Sequence, residues 1–308
     1  MRQNRESRVV RAALRFQFHT RDICLSIPEM SAGDPATAGE AAAAVRADLL
    51  AQPRFAWGRL RWALRNVLDV CAPGDRVLDV GCGKGWLVEA FSKAGLVASG
   101  IDVDPKAVED SRRLCPAADI RSYEGVALPY PDGHFRAVTF IEALEHVGDE
   151  AAVLREIRRV LIPGGTLVLT TPHAGDWAWM DPDNFKFRAP WAHKSLYALL
   201  GRSEEYQRRF GDSRRAVVGN FTKRTDGSAH WHRHYTRGQV ETLAAGFEIG
   251  QCRREGGFLF ATALVVNYLA DKVIGTWPAP VTAIMRWDAR KDRGERGWAL
   301  QMTLRKVD

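Results

Sequence analysis

The chain has 308 residues, 46% of them hydrophobic and 26% charged, an ordinary globular balance that suits one large domain with additions. Its formal net charge of +7 is carried mostly by scattered arginine and fits either an anionic partner or a plainly solvated surface. The five cysteines, Cys24, Cys71, Cys82, Cys115 and Cys252, form no CxxC pair, which argues against a zinc knuckle or a disulfide framework and for a reducing compartment. With no run near the roughly 20 apolar residues of a bilayer span, the expected location is cytoplasmic, with peripheral membrane contact left open.

Residues 1–37 read as an N-terminal tail, Arg-rich and acid-poor to residue 29. Three readings stand side by side: a transit-type leader, a mobile tail, or a native start at Met30. Residues 38–308 then form one domain. Ala38 to Ala51 has helical propensity. Pro53 breaks it, and apolar residues recur at helical spacing over 54–71. Short apolar runs at Val77 to Val80, Val97 to Ile101, Ala137 to Ile141 and Thr166 to Thr170 read as buried strands. They alternate with helical stretches at Gly85 to Ala94, Pro105 to Leu114 and Asp149 to Leu161. That alternation predicts an α/β, Rossmann-like doubly wound sheet, mostly parallel and covered on both faces. After Pro172 the rhythm stops, and 173–232 reads as an insertion. A helix follows at Thr236 to Ala245, then a strand at Phe247 to Arg253. The apolar segment 257–287 comes next, and a last strand at Trp298 to Leu304; one late strand is expected to be antiparallel.

The segment VLDVGCGKG, Val77 to Gly85, is a strand running into a glycine loop that opens a helix. Gly81, Gly83 and Gly85 let the backbone turn tightly and approach a ligand, and the helix N-terminus behind them is electropositive. The dinucleotide fingerprint is G-x-G-x-x-G, whereas here the third glycine comes one step early, which disfavours NAD. Asp102 follows at the end of the next strand, where an acid can hold ribose hydroxyls or, alternatively, cap the following helix. Trp86 offers an indole face to a cation, though packing of its own helix is the simpler reading.

Taken together, VLDVGCGKG, GIDVD, LPYPDGHF, EALEHV and LREIRRVLIPGGTLVLTTP resemble the class I S-adenosylmethionine (SAM)-dependent methyltransferases. The likeness is strongest to the small-molecule and glycan enzymes with LPxPDG and LEHV signatures. It runs from Asp75 to Pro172 and returns at HRHYTRGQVETLAAGFEI. The resemblance implies that Asp79, Gly81 and Gly83 lie beside the methionine end of the cofactor and that Asp102 holds the ribose. It puts Val103 against the adenine, Glu124 and Gly125 at its amino edge, and Glu142 at the strand end where the methyl group is presented. Two positions depart from the family: Glu124 replaces the usual Asp, and Arg136 replaces the Asp after Phe135, at what is expected to be a surface position. IEALEH stands where amino-methylating nucleic-acid enzymes carry an Asn-Pro-Pro-Tyr type motif, so nucleic acid is not the expected partner despite the positive charge.

The resemblance makes His146, then His234, the candidate general bases. His230, His232 and His234 alternate and would share one face of a strand, but no carboxylate motif stands beside them and no metal is assigned. The insertion 173–232, with Asp176, Asp181, Asp183, Asn184, Trp177, Trp179 and Trp191, is expected to cover the acceptor as a lid. The segment 257–287, with Lys272, Arg286, Arg290 and Lys291 on its flanks, reads first as core, and otherwise as a dimer interface or a membrane contact. The expected activity is O-methylation of a glycan, a lipid-linked sugar or a secondary metabolite. N- or C-methylation of a small molecule and a non-catalytic SAM-binding protein are the alternatives.

Overall fold

The apolar runs become strands of a single sheet. The computed structural model describes residues 35–52, 55, 58–123, 127–184, 189–210 and 233–308. In chain order the strands are β1 (Arg76–Val80), β2 (Val97–Asp102), β3 (Asp119–Ser122), β4 (Phe135–Ile141), β5 (Leu161–Pro172), β6 (Phe247–Glu255) and β7 (Ala299–Lys306). They lie in the order β3-β2-β1-β4-β5-β7-β6. β1 to β5 are mutually parallel, and β7 runs antiparallel between β5 and β6. This is the Rossmann-like, mostly parallel sheet with a late antiparallel strand that the alternation predicts.

Helices cover both faces. On one side α1 (Pro35–Ala51), α2 (Gly58–Val70), α3 (Trp86–Lys93) and α4 (Pro105–Leu114) bury Leu49, Leu64, Phe91 and Val108 against Val77, Ala98, Ala137 and Val168. On the other, α5 (Glu150–Val160) and, further on, α8 (Arg237–Leu243) bury Ile157, Val160 and Val240 against Leu78, Phe140, Leu169 and Met302. Neighbouring strand residues thus point to opposite cores, which is why each strand reads as a continuous apolar run. The strand order reverses between β1 and β4, so the crevice beyond their C-terminal ends is the place where such sheets bind ligands.

Several expectations need correction. β3 escaped the sequence because only Ile120 of its four residues is buried. Between Pro172 and β6, α6 (Pro190–Leu199) and α7 (Ser203–Phe210) also went unread. They pack through His193, Tyr197 and Tyr206, whose rings lie 5.1–5.6 Å apart. A stripe of polar aromatics gives no hydrophobic period. Arg136 is not a surface residue: it is half-buried, and its Nε donates to the Val70 carbonyl at 3.1 Å, tying β4 to the end of α2. The segment 257–287 is not simply core. It folds into α9 (Phe258–Ile274) and α10 (Ala279–Asp288), separated at Gly275, whose φ of 70° ends α9. Ala261, Ala263 and Asn267 are buried, while Leu259, Val266, Leu269, Val273 and Ile274 are exposed.

Candidate active site

The glycine loop is built by short bonds between neighbouring strands. Gly81 and Cys82 donate their N–H groups to the Ile101 carbonyl at 2.8 and 3.0 Å, folding the end of β1 over β2. All three loop glycines have positive φ, at 76°, 53° and 79°. A Cβ on Gly85 would lie 2.3 Å from Ser111 Oγ, so the third glycine is where α3 and α4 meet. A Cβ on Gly83 would meet nothing within 4 Å, so this turn of the loop opens onto the crevice. Asp102 holds the two loops in register: Gly83 N–H donates to one carboxylate oxygen at 2.8 Å and Asp104 N–H to the other at 2.9 Å. The helix-capping role considered for Asp102 belongs to Asp104, which accepts from Lys106 N–H. Val103 is left 58% exposed at the end of β2.

Asp79 lies deeper than the sequence indicates. It is buried beneath the loop, and its Oδ1 accepts from the Thr139 hydroxyl at 2.6 Å. Burial pushes its carboxyl up to about 7, with the Thr139 hydrogen bond opposing and the Asp102 charge reinforcing. Trp86 is half-buried against the same core as Leu87 and Phe91, in keeping with a packing role. Glu124 and Gly125 lie outside the described residues.

At the end of β4 the backbone is strained. Glu142 has a φ of 50°, the positive value that L residues avoid. Two bonds to β5 hold it there: its N–H donates to the Thr170 carbonyl at 2.9 Å, and its Oε1 accepts from the Thr170 hydroxyl at 2.9 Å. Arg59 of α2 lies 3.8 Å from the other carboxylate oxygen. His146 closes the 3-10 turn that follows, 3.8 Å from Glu145 Oε1. The Glu145 side chain is buried and accepts from the Thr171 hydroxyl at 3.1 Å.

His234 arrives from far along the chain. Tyr235 pairs with His173 beyond the end of β5. Arg233 bonds to Glu150 and the Val147 carbonyl, and the Tyr235 hydroxyl donates to Glu150 at 3.1 Å. These bonds strap the segment onto the loop that carries His146. The His234 Nε2 is 3.4 Å from the Asp181 carboxylate, and its ring meets Trp298 edge-on at 6.0 Å. The pair sets an imidazole beside a buried carboxylate, the two groups a proton-accepting histidine needs. His230 and His232 lie outside the described residues, as does much of the insertion.

Three charged groups set close to these residues were not read from the sequence. Asp181 is named there only as a polar residue of the insertion, not as the partner of His234. Arg59 sits inside an amphipathic helix, where an arginine reads as surface. Glu255, at the end of β6, is buried next to the start of β7. Burial pushes its carboxyl up to about 7; Arg253 opposes this, the Glu142 charge adds to it, and Arg59 and the Gln301 amide oppose it. No local motif marks any of the three.

Fold and cradle together form a Rossmann-like domain of the kind found in class I methyltransferases. The open turn at Gly83, the acid at the end of β2 and the apolar Val103 beside it suit the amino-acid chain, ribose and adenine of S-adenosylmethionine, the cofactor of that class. Residues 78–169 match the family described as "Methyltransferase domain". The chain is 43% identical over 108 residues to a ubiquinone biosynthesis O-methyltransferase of Xanthomonas campestris pv. campestris, covering 33% of this chain and 45% of that protein. It is 33% identical over 155 residues to a 2-methyl-6-phytyl-1,4-hydroquinone methyltransferase of Synechocystis sp., covering 46% and 47%. The chain thus spans about half the length of these curated relatives. A solved structure described as a candidate sarcosine dimethylglycine methyltransferase from Galdieria sulphuraria shares the fold. It covers 80% of this chain and 84% of its own, with a TM-score of 0.52 and 16% identity.

Proposed function

We propose that this protein transfers a methyl group from S-adenosylmethionine to a hydroxyl oxygen of a small acceptor that carries an apolar body. The observation that carries the reading is the His234–Asp181 pair beyond the C-terminal end of β5, on a segment strapped to the loop after β4. When bound, the cofactor supplies an activated methyl on a sulfonium with a neutral thioether as leaving group. Asp102 and the Gly81–Gly85 loop hold and orient it, and alignment of this kind can be worth effective molarities on the order of 10⁵–10⁸ M. His234, steadied by Asp181, takes the acceptor's hydroxyl proton as the new O–C bond forms and the C–S bond breaks. General-base help of this sort contributes about 10²–10⁴-fold. His146, on the loop strapped to it, orients the acceptor.

For the acceptor, the likeness to a ubiquinone biosynthesis O-methyltransferase and a phytylhydroquinone methyltransferase favours a hydroxylated ring with a lipid tail over the glycan or lipid-linked sugar among the expected acceptors. A sugar-stacking role for the tryptophans of the insertion has less support: Trp179 and Trp191 are exposed, and Trp177 packs on Phe258 at 4.9 Å. The insertion 173–232 keeps its role as acceptor cover in this reading, because it supplies Asp181. The test is methyl transfer from labelled S-adenosylmethionine to a panel of prenylated catechols, glycans and amines. Label in a methyl ether of a catechol is expected. Label only on nitrogen, or none from a folded, cofactor-binding protein, would overturn the proposal.

A further inference from the structure

The face of α9 and α10 turned away from the sheet has an unusual make-up for a surface. Phe258, Leu259, Val266 and Leu269 are exposed along α9, and Val273 and Ile274 at its end are 63% and 62% exposed. Ile284 and Trp287 continue the patch on α10. The end of α6 joins it: Arg202 donates to the Lys272 carbonyl at 3.4 Å, just past Leu199, which is 86% exposed. Single exposed apolar residues are ordinary, but a run contributed by three helices is not.

Charge on this segment is mostly positive. Phe258 to Lys291 contains Lys272, Arg286, Arg290 and Lys291 against two acids, Asp271 and Asp288. Asp288 is buried, bound to the N–H groups of Gly257 and Phe260 and to Arg293. The Lys291 ammonium sits 3.3 Å from the centre of the Trp287 ring, and the Lys272 ammonium 5.2 Å from that of Tyr268. Aromatic rings paired with ammonium groups at an apolar edge suit a water–lipid boundary.

We propose that the α9–α10 hairpin, with the end of α6, docks on an anionic lipid bilayer. α9 has 17 residues, about 25 Å of helix, short of the ~30 Å hydrocarbon core. One side of it is buried against the protein, so it lies on the membrane and does not cross it. A second copy of the chain is a poorer occupant, because a two-fold contact would set one net-positive face against another. The surface also reaches the active site: Phe258 at the start of α9 packs on Trp177, four residues before Asp181. An acceptor dissolved in the bilayer would therefore meet the crevice without crossing water. This last point rests on the proposed function; the docking itself does not.

Flotation of the full chain with vesicles tests the docking, without cofactor or acceptor present. Co-migration is expected with phosphatidylcholine–phosphatidylglycerol vesicles at low salt, and much less with phosphatidylcholine alone. The Val273→Glu/Ile274→Glu double variant should bind at least about tenfold more weakly, given the apolar area it removes. Arg290→Glu/Lys291→Glu should lose roughly fivefold per cation and most of the salt dependence. Binding of S-adenosylhomocysteine, unchanged in both variants, shows that they are folded. No flotation of the wild type at low salt would overturn the proposal. So would equal binding to both kinds of vesicle, full binding by the double variant, or a dimer that this variant dissociates in place of vesicle binding. A chain that floats but binds no cofactor would leave docking intact and remove the methyltransferase reading.

Discussion

The bonds that shape the glycine loop after β1 are local to two neighbouring βα units: Gly83 reaches Asp102 across 19 residues of chain, and Gly81 turns onto Ile101 in the next strand. Around the ends of β5 and β7 the bonds span far more chain. Arg233 reaches Glu150 across 83 residues, and His173 donates from Nδ1 to the Gly297 carbonyl across 124. The first region meets a cofactor whose shape does not vary, and one strand–loop–helix unit suffices to build it. The second must fit an acceptor, and it is assembled from a late strand, an insertion and a helical hairpin. If this contrast holds, damage to the first region should cost folding and cofactor affinity, and damage to the second should cost turnover alone.

The largest effect is expected on the acceptor side. His234→Ala and Asp181→Asn should each lower kcat by about 10²–10⁴-fold, with S-adenosylhomocysteine affinity unchanged by calorimetry. A greater loss in His146→Ala would move the base to the loop after β4. Next in size is Gly85→Ala, because its Cβ would clash with Ser111 at a φ of 79°. Strain and overpacking together should destabilise the protein by about 3 kcal/mol, seen as a lowered midpoint in urea. Asp102→Ala should weaken cofactor binding by roughly 10–100-fold, the scale of hydrogen bonds to a charged group, while kcat at saturating cofactor changes little. A loss of turnover without a loss of affinity would blur the two regions.

The smallest effect is a pH dependence. Asp79 and Glu255 hold their protons in the folded, ligand-free chain up to about 7, against 3.8 and 4.5 when unconstrained. Between those values the unfolded chain ionises first, so stability should fall as pH rises from about 4 to 7 and then level off. Asp79→Asn should flatten that slope in urea unfolding, and Glu255→Gln should flatten it further. A slope of the opposite sign would mean that these carboxyls are ionised where the structure buries them.

The same contrast explains what the sequence could reveal. β1, β2, β4 and β5 were legible because each is a short apolar run buried on both faces, and Gly81, Gly83, Gly85 and Asp102 because spacing alone carries their geometry. The helices through His193 and Tyr197 were illegible because polar aromatics, not aliphatics, form their buried stripe. Asp181 and Glu255 could not be read as site residues, since their neighbours are set by tertiary packing and no local pattern records it. The apolar hairpin was visible as a composition, but only its three-dimensional exposure separates a surface from a core.

The cofactor cradle supports everything else, and calorimetric titration of the full chain with S-adenosylhomocysteine tests it most directly. Saturable binding between about 1 μM and 1 mM ligand, weakened in Asp102→Ala and intact in His234→Ala, is the expected result. A cooperatively folded protein that gives no heat at ligand concentrations well above that range would contradict the account.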